Sequence, residues 1–374
     1  MLRAKHPGQK LVMVIVDYPL QNEIDRDFPW SGASHLSLVS DLTSAGVGTR
    51  DIHTTYLAYE RPDKESFDWS TEFKKKKDID PDKADNWFHL AHQKDLYISA
   101  YLNSCLTGLI EEIKKVNPKI IVIAGKWALF LLTGRVPYSA TQGTFKAQKP
   151  LGGLAKFRAS IETTHPSFGI EENIVIPILP PITRQRDPSK IPVLKWDYLK
   201  IADIYKALTS GKKQVSDYLV DPRELLIGTQ FDDVIGFLNS VLEELDKDKT
   251  LVSVDIETRF SSTIDCIGIA SSNSKGMCIP FSTLSSPNFW TAEEEYSIHE
   301  HILKVLSHHN ILVTGQNYAY DAQFIWKFWG IKTEAFVDTM ILHHVLYNNM
   351  EKNLAFLASV YCENYTYWKD EQQH

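Results

Sequence analysis

The sequence predicts an α/β fold in two domains, and three observations carry that reading. Apolar, β-branched runs without alternation recur at Leu11–Val16, Ile120–Ala124 and Asn173–Leu179, the pattern of strands buried on both faces in a parallel sheet. Amphipathic stretches of helical period separate them. The length of 374 residues, at roughly 150 residues per domain, points to two or three domains.

The elements follow in order. KLVMVIVDYP reads as a buried strand that breaks at Pro19. Leu36–Ala45 has helical spacing, with Leu36, Val39, Leu42 and Ala45 on one face before Gly46. Arg61–Asp85 is charged, contains the run Lys74–Lys77, and reads as a long exposed loop. Ile98–Val116 is a long amphipathic helix followed by NPKIIVIAG, a stop signal and then a strand. PPITRQRDPSKIP is too rich in proline and charge for a packed element. Asp197–Leu208 is helical. The expected domains are 1–212 and 223–374, joined by a linker at 213–222. Beyond the linker, Asp232–Leu245 places Val234, Phe237, Leu238, Val241, Leu242 and Leu245 on one helical face, and LVSVDIET is the next strand.

Lys and Arg number 40 against 47 Asp and Glu, a net charge of −7 that excludes a uniformly basic polymer binder while leaving room for a local basic groove. Cys105, Cys266, Cys278 and Cys362 form no C-x-x-C pair, so neither a disulfide framework nor a zinc knuckle is expected. The longest apolar runs fall far short of the ~20 residues that span a bilayer. A cytoplasmic protein without membrane contact is expected.

Asp255 and Glu257 stand two apart at the end of a strand, and the period of two projects both carboxylates from one face. Anions held that close repel unless a cation lies between them, and the cation suited to carboxylates and phosphate is Mg²⁺ or Mn²⁺. By itself D-x-E is also a common pattern of solvated carboxylates. Sixty residues on, the strand Ile311–Val313 leads into a helix whose apolar face includes Phe324, Ile325, Phe328 and Trp329. Asn317 and Asp321 lie four apart on one face of it, where Asp321 reaches a metal over the strand or simply complements the helix dipole. His89 and His92, His308–His309 and His343–His344 lack companions at metal spacing and read as solvated or packed.

Taken together, VSVDIET, CIGIA with CIPF, GQNYAYD, FVDTMILHHVLYNN and NLAFLASVY resemble the 3′-to-5′ exonuclease domain of family A DNA polymerases, a DEDD-type nuclease on a ribonuclease-H-like fold, over about residues 225–374. The resemblance implies Asp255, Glu257 and Asp321 as catalytic residues and ligands of a two-metal Mg²⁺ or Mn²⁺ site. It also implies Asn317, Thr258 and Gln316 as substrate contacts, and Asp338 as a structural residue that ties down the next helix. The family's third motif is Y-x-x-x-D, whereas Tyr367 and Asp370 are spaced Y-x-x-D. The third-motif roles are therefore not carried over, and the exonuclease domain is expected to be incomplete at its C-terminus. Hydrolysis is expected to be weak, or to need a continuation or a second chain.

The blocks VMVIVDYPLQNEIDRDFPWSGASHLSLVSDLTSAGV, DIHTTYLAYERP, NPKIIVIAGKWALFLLTG, ETTHPSF and KWDYLKIA resemble the uracil-DNA glycosylase superfamily, nearest its iron-sulfur branch, over about residues 10–208. This implies a three-layer α/β/α domain. The chemistry is eroded: Val16-Asp17-Tyr18-Pro19-Leu20 replaces a glycine-rich loop, Tyr56 replaces the uracil-reading Asn, and only Cys105 falls on a cluster position, with Glu60 on another. No iron-sulfur cluster is expected. Thr164-His165-Pro166-Ser167 preserves the second motif, so His165 and Ser167, with Lys156 and Arg158, are expected to dock nucleic acid.

The combined expectation is the N-terminal part of a phage-type family A DNA polymerase. It would be a proofreading module acting on a single-stranded 3′ end or primer-template DNA, with its polymerase module in a continuation or a separate chain. Two alternatives remain: an inactive DNA-binding subunit of a separately encoded polymerase, and a ribonuclease D-like RNA exonuclease.

Overall fold

The run Val12–Val16 forms strand β1 with all five residues buried, so apolar character without alternation translates into a central strand. The computed structural model describes residues 10–61, 69, 71–135, 152–219, 224–259, 263–283, 286 and 288–367. The chain divides into two units, Met1–Val220 with Ala358–His374, and Asp221–Leu357. Among the described residues no helix is long and apolar enough to cross a membrane.

In the first unit the strands are β1, β2 (Ile52–Tyr56), β3 (Phe73–Lys75), β4 (Trp87–His89), β5 (Leu96–Ser99), β6 (Ile120–Ile123) and β7 (Ile174–Pro177). Its helices are α1 (Gln21–Asp25), α2 (Ala33–Ala45), α3 (Ala100–Val116), α4 (Lys126–Thr133), α5 (Gly152–Phe157), α6 (Thr183–Arg186), α7 (Ile191–Thr209) and α8 (Ser216–Leu219). A four-stranded parallel sheet has the order β2-β1-β6-β7, and a small antiparallel sheet has the order β3-β5-β4. Ser99 caps α3 by accepting from the Leu102 N–H at 3.1 Å, and Leu102, Cys105, Leu109 and Ile113 make its buried face. Glu112 on that face is buried with partners, taking His53 Nε2 at 2.7 Å and Thr55 Oγ1 at 3.0 Å, which joins α3 to β2.

In the second unit the strands are β8 (Glu224–Ile227), β9 (Thr250–Arg259), β10 (Thr263–Ala270), β11 (Lys275–Pro280), β12 (Ile311–Gly315) and β13 (Val337–Asp338). The helices are α9 (Phe231–Lys247), α10 (Ala292–Leu306), α11 (Ala319–Trp329), α12 (Thr339–Leu346) and α13 (Leu354–Tyr361), the last continuing into the first unit. The sheet order is β13-β12-β9-β10-β11-β8. β9, β10 and β11 are antiparallel neighbours, while β12 runs parallel to β9 and β13 parallel to β12. This is the ribonuclease-H-like arrangement. Val234, Leu238 and Val241 of α9 and Ile298 and Ile302 of α10 share a core with Val252, Val254 and Ile256 of β9. Each such side chain contributes about 1.5–3 kcal/mol by leaving water.

The structure corrects several expectations. Arg61–Asp85 is not simply a loop: Phe73 and Trp69 are buried on Trp127, with ring centroids 5.1 and 5.0 Å away, and Phe73–Lys75 pairs with β5. Aromatic anchors thus outweigh the local charge. Leu36 is exposed, because α2 buries Ser34, His35, Leu38 and Leu42 instead. The proline-rich stretch forms α6 and a turn at Pro188–Lys190, with Pro181 and Thr183 buried, and α7 begins at Ile191 with a proline in its first turn, where a missing N–H costs nothing. Strand β8 carries no alternation and is missed by periodicity. Within the expected linker, α8 buries Tyr218. Residues 358–367, assigned to the second domain on sequence, belong to the first unit: Ile161 N donates to Tyr365 O at 2.7 Å, and Lys200 Nζ to Cys362 O at 2.9 Å.

Candidate active site

Strand β9 alternates strictly. Val252, Val254 and Ile256 are buried, while Leu251, Ser253, Asp255 and Glu257 are exposed, so both carboxylates lie on the face away from the α9 core. Asp255 pairs across with Gly268 of β10, which has no side chain to cover it, and Glu257 pairs with Cys266. The partner strand β12 follows β9 only from Thr250 to Ser253, leaving the β9 edge beyond Ser253 unpaired on that side.

The turn after β12 brings the third carboxylate to that edge. A Cβ on Gly315 would lie 2.7 Å from Tyr318 Cδ2 and 3.1 Å from Val254 O, so only glycine permits this close approach. Asn317 adopts φ +59°, a conformation that Asn tolerates better than most residues. It therefore stands before α11 and not on a shared helical face with Asp321, contrary to the sequence expectation. Asp338 holds the turn, accepting N–H bonds from Asn317 at 3.2 Å and Tyr318 at 2.8 Å, and it also caps α12 through Met340 N at 2.9 Å and Ile341 N at 3.2 Å. Asp321, in the first turn of α11, is buried, and its Oδ1 accepts the Ile256 N–H at 2.9 Å. The third carboxylate is thus attached to β9 between the positions of the other two.

The electrostatics follow from this placement. Burial pushes the Asp321 carboxyl up to about 6 against the Ile256 N–H, and the charges of Asp255 and Glu257 push the same way as burial. Burial and then the Glu257 charge raise Asp255. Two carboxyls whose ionised forms are disfavoured, beside the charge of Glu257, are a donor set suited to a hard divalent cation. The donor chemistry fits, although among the described residues no three His, Cys, Asp or Glu side chains already converge on one ion position.

The other expected contacts divide. Thr258 Oγ1 is hydrogen-bonded to Tyr320 Oη at 2.7 Å, and Asn317 is exposed. Gln316 is engaged within the fold: its Nε2 donates to Lys352 O at 2.6 Å and its Oε1 accepts from the Thr339 hydroxyl. In the first unit, His165 Nδ1 lies 2.8 Å from Ser167 Oγ and caps the turn Pro166–Phe168, and its ring packs 5.1 Å from that of His92. Arg158 does not reach a surface. It is buried, paired with Asp197 and donating to Ser359 Oγ at 2.6 Å, because burial of its charge demands such partners. Sequence reasoning missed Tyr320, whose only signal is its place beside Asp321, and the two cysteines on the β10 and β11 face.

The first unit has a topological switch point of its own. Strand order reverses between β1 and β6, the switch point where open α/β sheets hold ligands. There Asp17 accepts Ala128 N at 2.9 Å and Trp127 N at 3.4 Å from the start of α4, and a Cβ on Gly125 would come within 2.1 Å of its Oδ1. Beside it Tyr56 is buried, its hydroxyl donating to Glu23 Oε2 at 3.0 Å and accepting Trp30 N at 2.7 Å. Glu23 also takes Gly32 N at 2.9 Å and His35 Nδ1 at 2.9 Å.

Residues 235–374 match the family model described as 3′-5′ exonuclease. No curated protein matches the chain. Among solved structures, the chain is similar to the catalytic core of RRP6 from Trypanosoma brucei at 15% identity and a TM-score of 0.31, over 40% of this chain and 37% of that one. It is similar to the EXD2 exonuclease domain soaked in Mn and GMP at 16% identity and a TM-score of 0.26, over 36% of this chain and 68% of that one. The chain therefore spans well under half of the RRP6 core.

Proposed function

We propose that the second unit is a 3′-to-5′ exonuclease acting on DNA, in which Asp255, Glu257 and Asp321 hold Mg²⁺ or Mn²⁺. The observation that carries the reading is the pair of exposed carboxylates on one face of β9 with Asp321 fastened to the Ile256 N–H between them, inside a segment matched by the exonuclease family model. When bound, paired divalent ions supply an activated water and stabilise the leaving oxygen. The chain's own groups do the rest. Asp255 and Glu257 present an open anionic face, Asp321 is held in place by backbone, and the Thr258–Tyr320 hydroxyl pair retains one proton to donate to a phosphate oxygen. Asn317 stands exposed at the same end and serves as a further substrate contact.

The wider setting in this reading is the N-terminal part of a phage-type family A DNA polymerase in the host cytoplasm, with a polymerase module in a continuation or a separate chain. The first unit is a glycosylase-like domain that docks DNA through His165 and Ser167 without base excision. The buried Tyr56–Glu23–His35 network and the engagement of Asp17 with α4 support its lack of catalysis. The deciding experiment is release of nucleotide from 3′-labelled single strands of DNA and of RNA with Mg²⁺ or Mn²⁺, comparing the chain with Asp255→Ala. Equal rates in both proteins would remove Asp255 from the mechanism, and a preference for RNA would overturn the DNA assignment.

A second reading is favoured by the lack of a converged three-ligand position among the described residues. In it the chain binds primer-template DNA with a steep salt dependence and cleaves nothing.

A further inference from the structure

The sheet face that carries Asp255 and Glu257 also carries two thiols. Cys266 pairs with Glu257 across β10 and β9, and Cys278 pairs with Gly268 across β11 and β10, which makes the cysteines diagonal neighbours on one face. Phe281 N donates to Asp265 O at 2.7 Å, so Cys266–Pro280 and Gly268–Cys278 are non-hydrogen-bonded pairs, the positions where antiparallel strands approach most closely. Diagonal neighbours on such a face lie ~7–8 Å apart, so a bond between two short cysteine side chains requires the strands to shift. No side chain on Gly268 stands opposite Cys278. Both cysteines are half-buried and reduced, whereas Cys105 is buried and Cys362 belongs to the other unit.

We propose that Cys266 and Cys278 form a redox-modification site, closed to an intramolecular disulfide by a peroxide oxidant. One thiol attacks the peroxide O–O bond and becomes a sulfenic acid with release of one water. The second thiol then displaces the sulfenic hydroxyl as another water and forms the S–S bond. Two thiols lose two hydrogens and two electrons, and the peroxide is reduced to water. Closure asks the Cα atoms to come within the ~4.4–6.8 Å range of disulfides, a demand eased where Gly268 leaves the strands unencumbered. The consequence for catalysis rests on the reading under Proposed function. Drawing Cys266 toward Cys278 shifts the neighbour of Glu257, and the expected result is a several-fold loss of nuclease rate that dithiothreitol reverses.

The test uses the full chain, reduced, desalted and treated with hydrogen peroxide. Lys275 lies between the cysteines, so trypsin leaves two peptides joined only by the new bond, and the intact mass falls by two hydrogens. Cys278→Ser abolishes both signatures and keeps its nuclease rate under peroxide. The proposal is overturned if both thiols stay open to alkylation when Cys362 is already oxidised, or if the peptide map joins either one to Cys105 or Cys362. A reduced protein that hydrolyses no 3′ end would sink the exonuclease reading, while the peptide map would still decide the disulfide.

Discussion

Asp17 follows β1 in the first unit, and Asp255 and Glu257 lie toward the end of β9 in the second, so both units place carboxylates at a strand end beside the start of a helix. Their surroundings differ. Asp17 is met by backbone N–H groups of Trp127 and Ala128, donors of the α4 N-terminus. Asp255 and Glu257 face outward, and the helix that follows β12 brings them another carboxylate, Asp321, in place of a donor. The same residue type thus serves the fold in one unit and is left available for ligands in the other. The difference teaches that a strand-end acid is informative only once its hydrogen-bond partners are known.

The largest expected effect separates the two positions. Asp255→Ala should lower the metal-dependent release of 3′ nucleotides by about 10³-fold, ~4 kcal/mol of barrier, while Asp17→Ala leaves that rate within a factor of about two, since no shared partner couples them. A comparable loss in both variants would break the comparison. Next, Asp17→Ala should destabilise the first unit by about 2 kcal/mol in urea unfolding, the upper range for losing an acceptor at a helix N-terminus. A third outcome concerns pH. Asp321 is pushed up to about 6, chiefly by burial, so it is neutral below that pH and ionised above it. The nuclease rate should therefore rise as pH increases through 6 and level off about one unit higher. A rate that is flat from pH ~5 to ~8 would show that Asp321 ionisation does not limit catalysis. The smallest effect is Tyr56→Phe, which removes two buried hydrogen bonds, to Glu23 and from the Trp30 N–H, and should cost ~1.5 kcal/mol with no change in nuclease rate.

Much of the site was legible because strand parity is a local property. Asp255 and Glu257 share a face whatever the rest of the chain does, and the apolar alternation of β9 says which face that is. Asp321 was legible as a residue type early in a helix, yet its bond to the Ile256 N–H spans 65 residues of sequence and has no local signal. Asn317 shows the converse error. Four-residue spacing suggests a shared helical face, but the carboxylate of Asp338 holds the backbone of the preceding turn and delays the helix to Ala319. Arg158 looked like a phosphate contact by type, and only its burial against Asp197 removes it from the surface.

By itself the sequence determined what depends on neighbours along the chain: the α/β class, the buried strands β1, β6 and β7, the α9 stripe, and the paired carboxylates of β9. Hydrophobic period and strand parity act over a few residues, so they survive without knowledge of the fold. Only the tertiary structure decided what depends on distant partners. Asp17 is held by α4, Glu23 by Tyr56 and His35, Asp321 by β9, and the thiols of Cys266 and Cys278 lie on the carboxylate face. Hydrogen bonds and charge are satisfied by whatever the fold brings near, and proximity across tens of residues is not written in any local pattern.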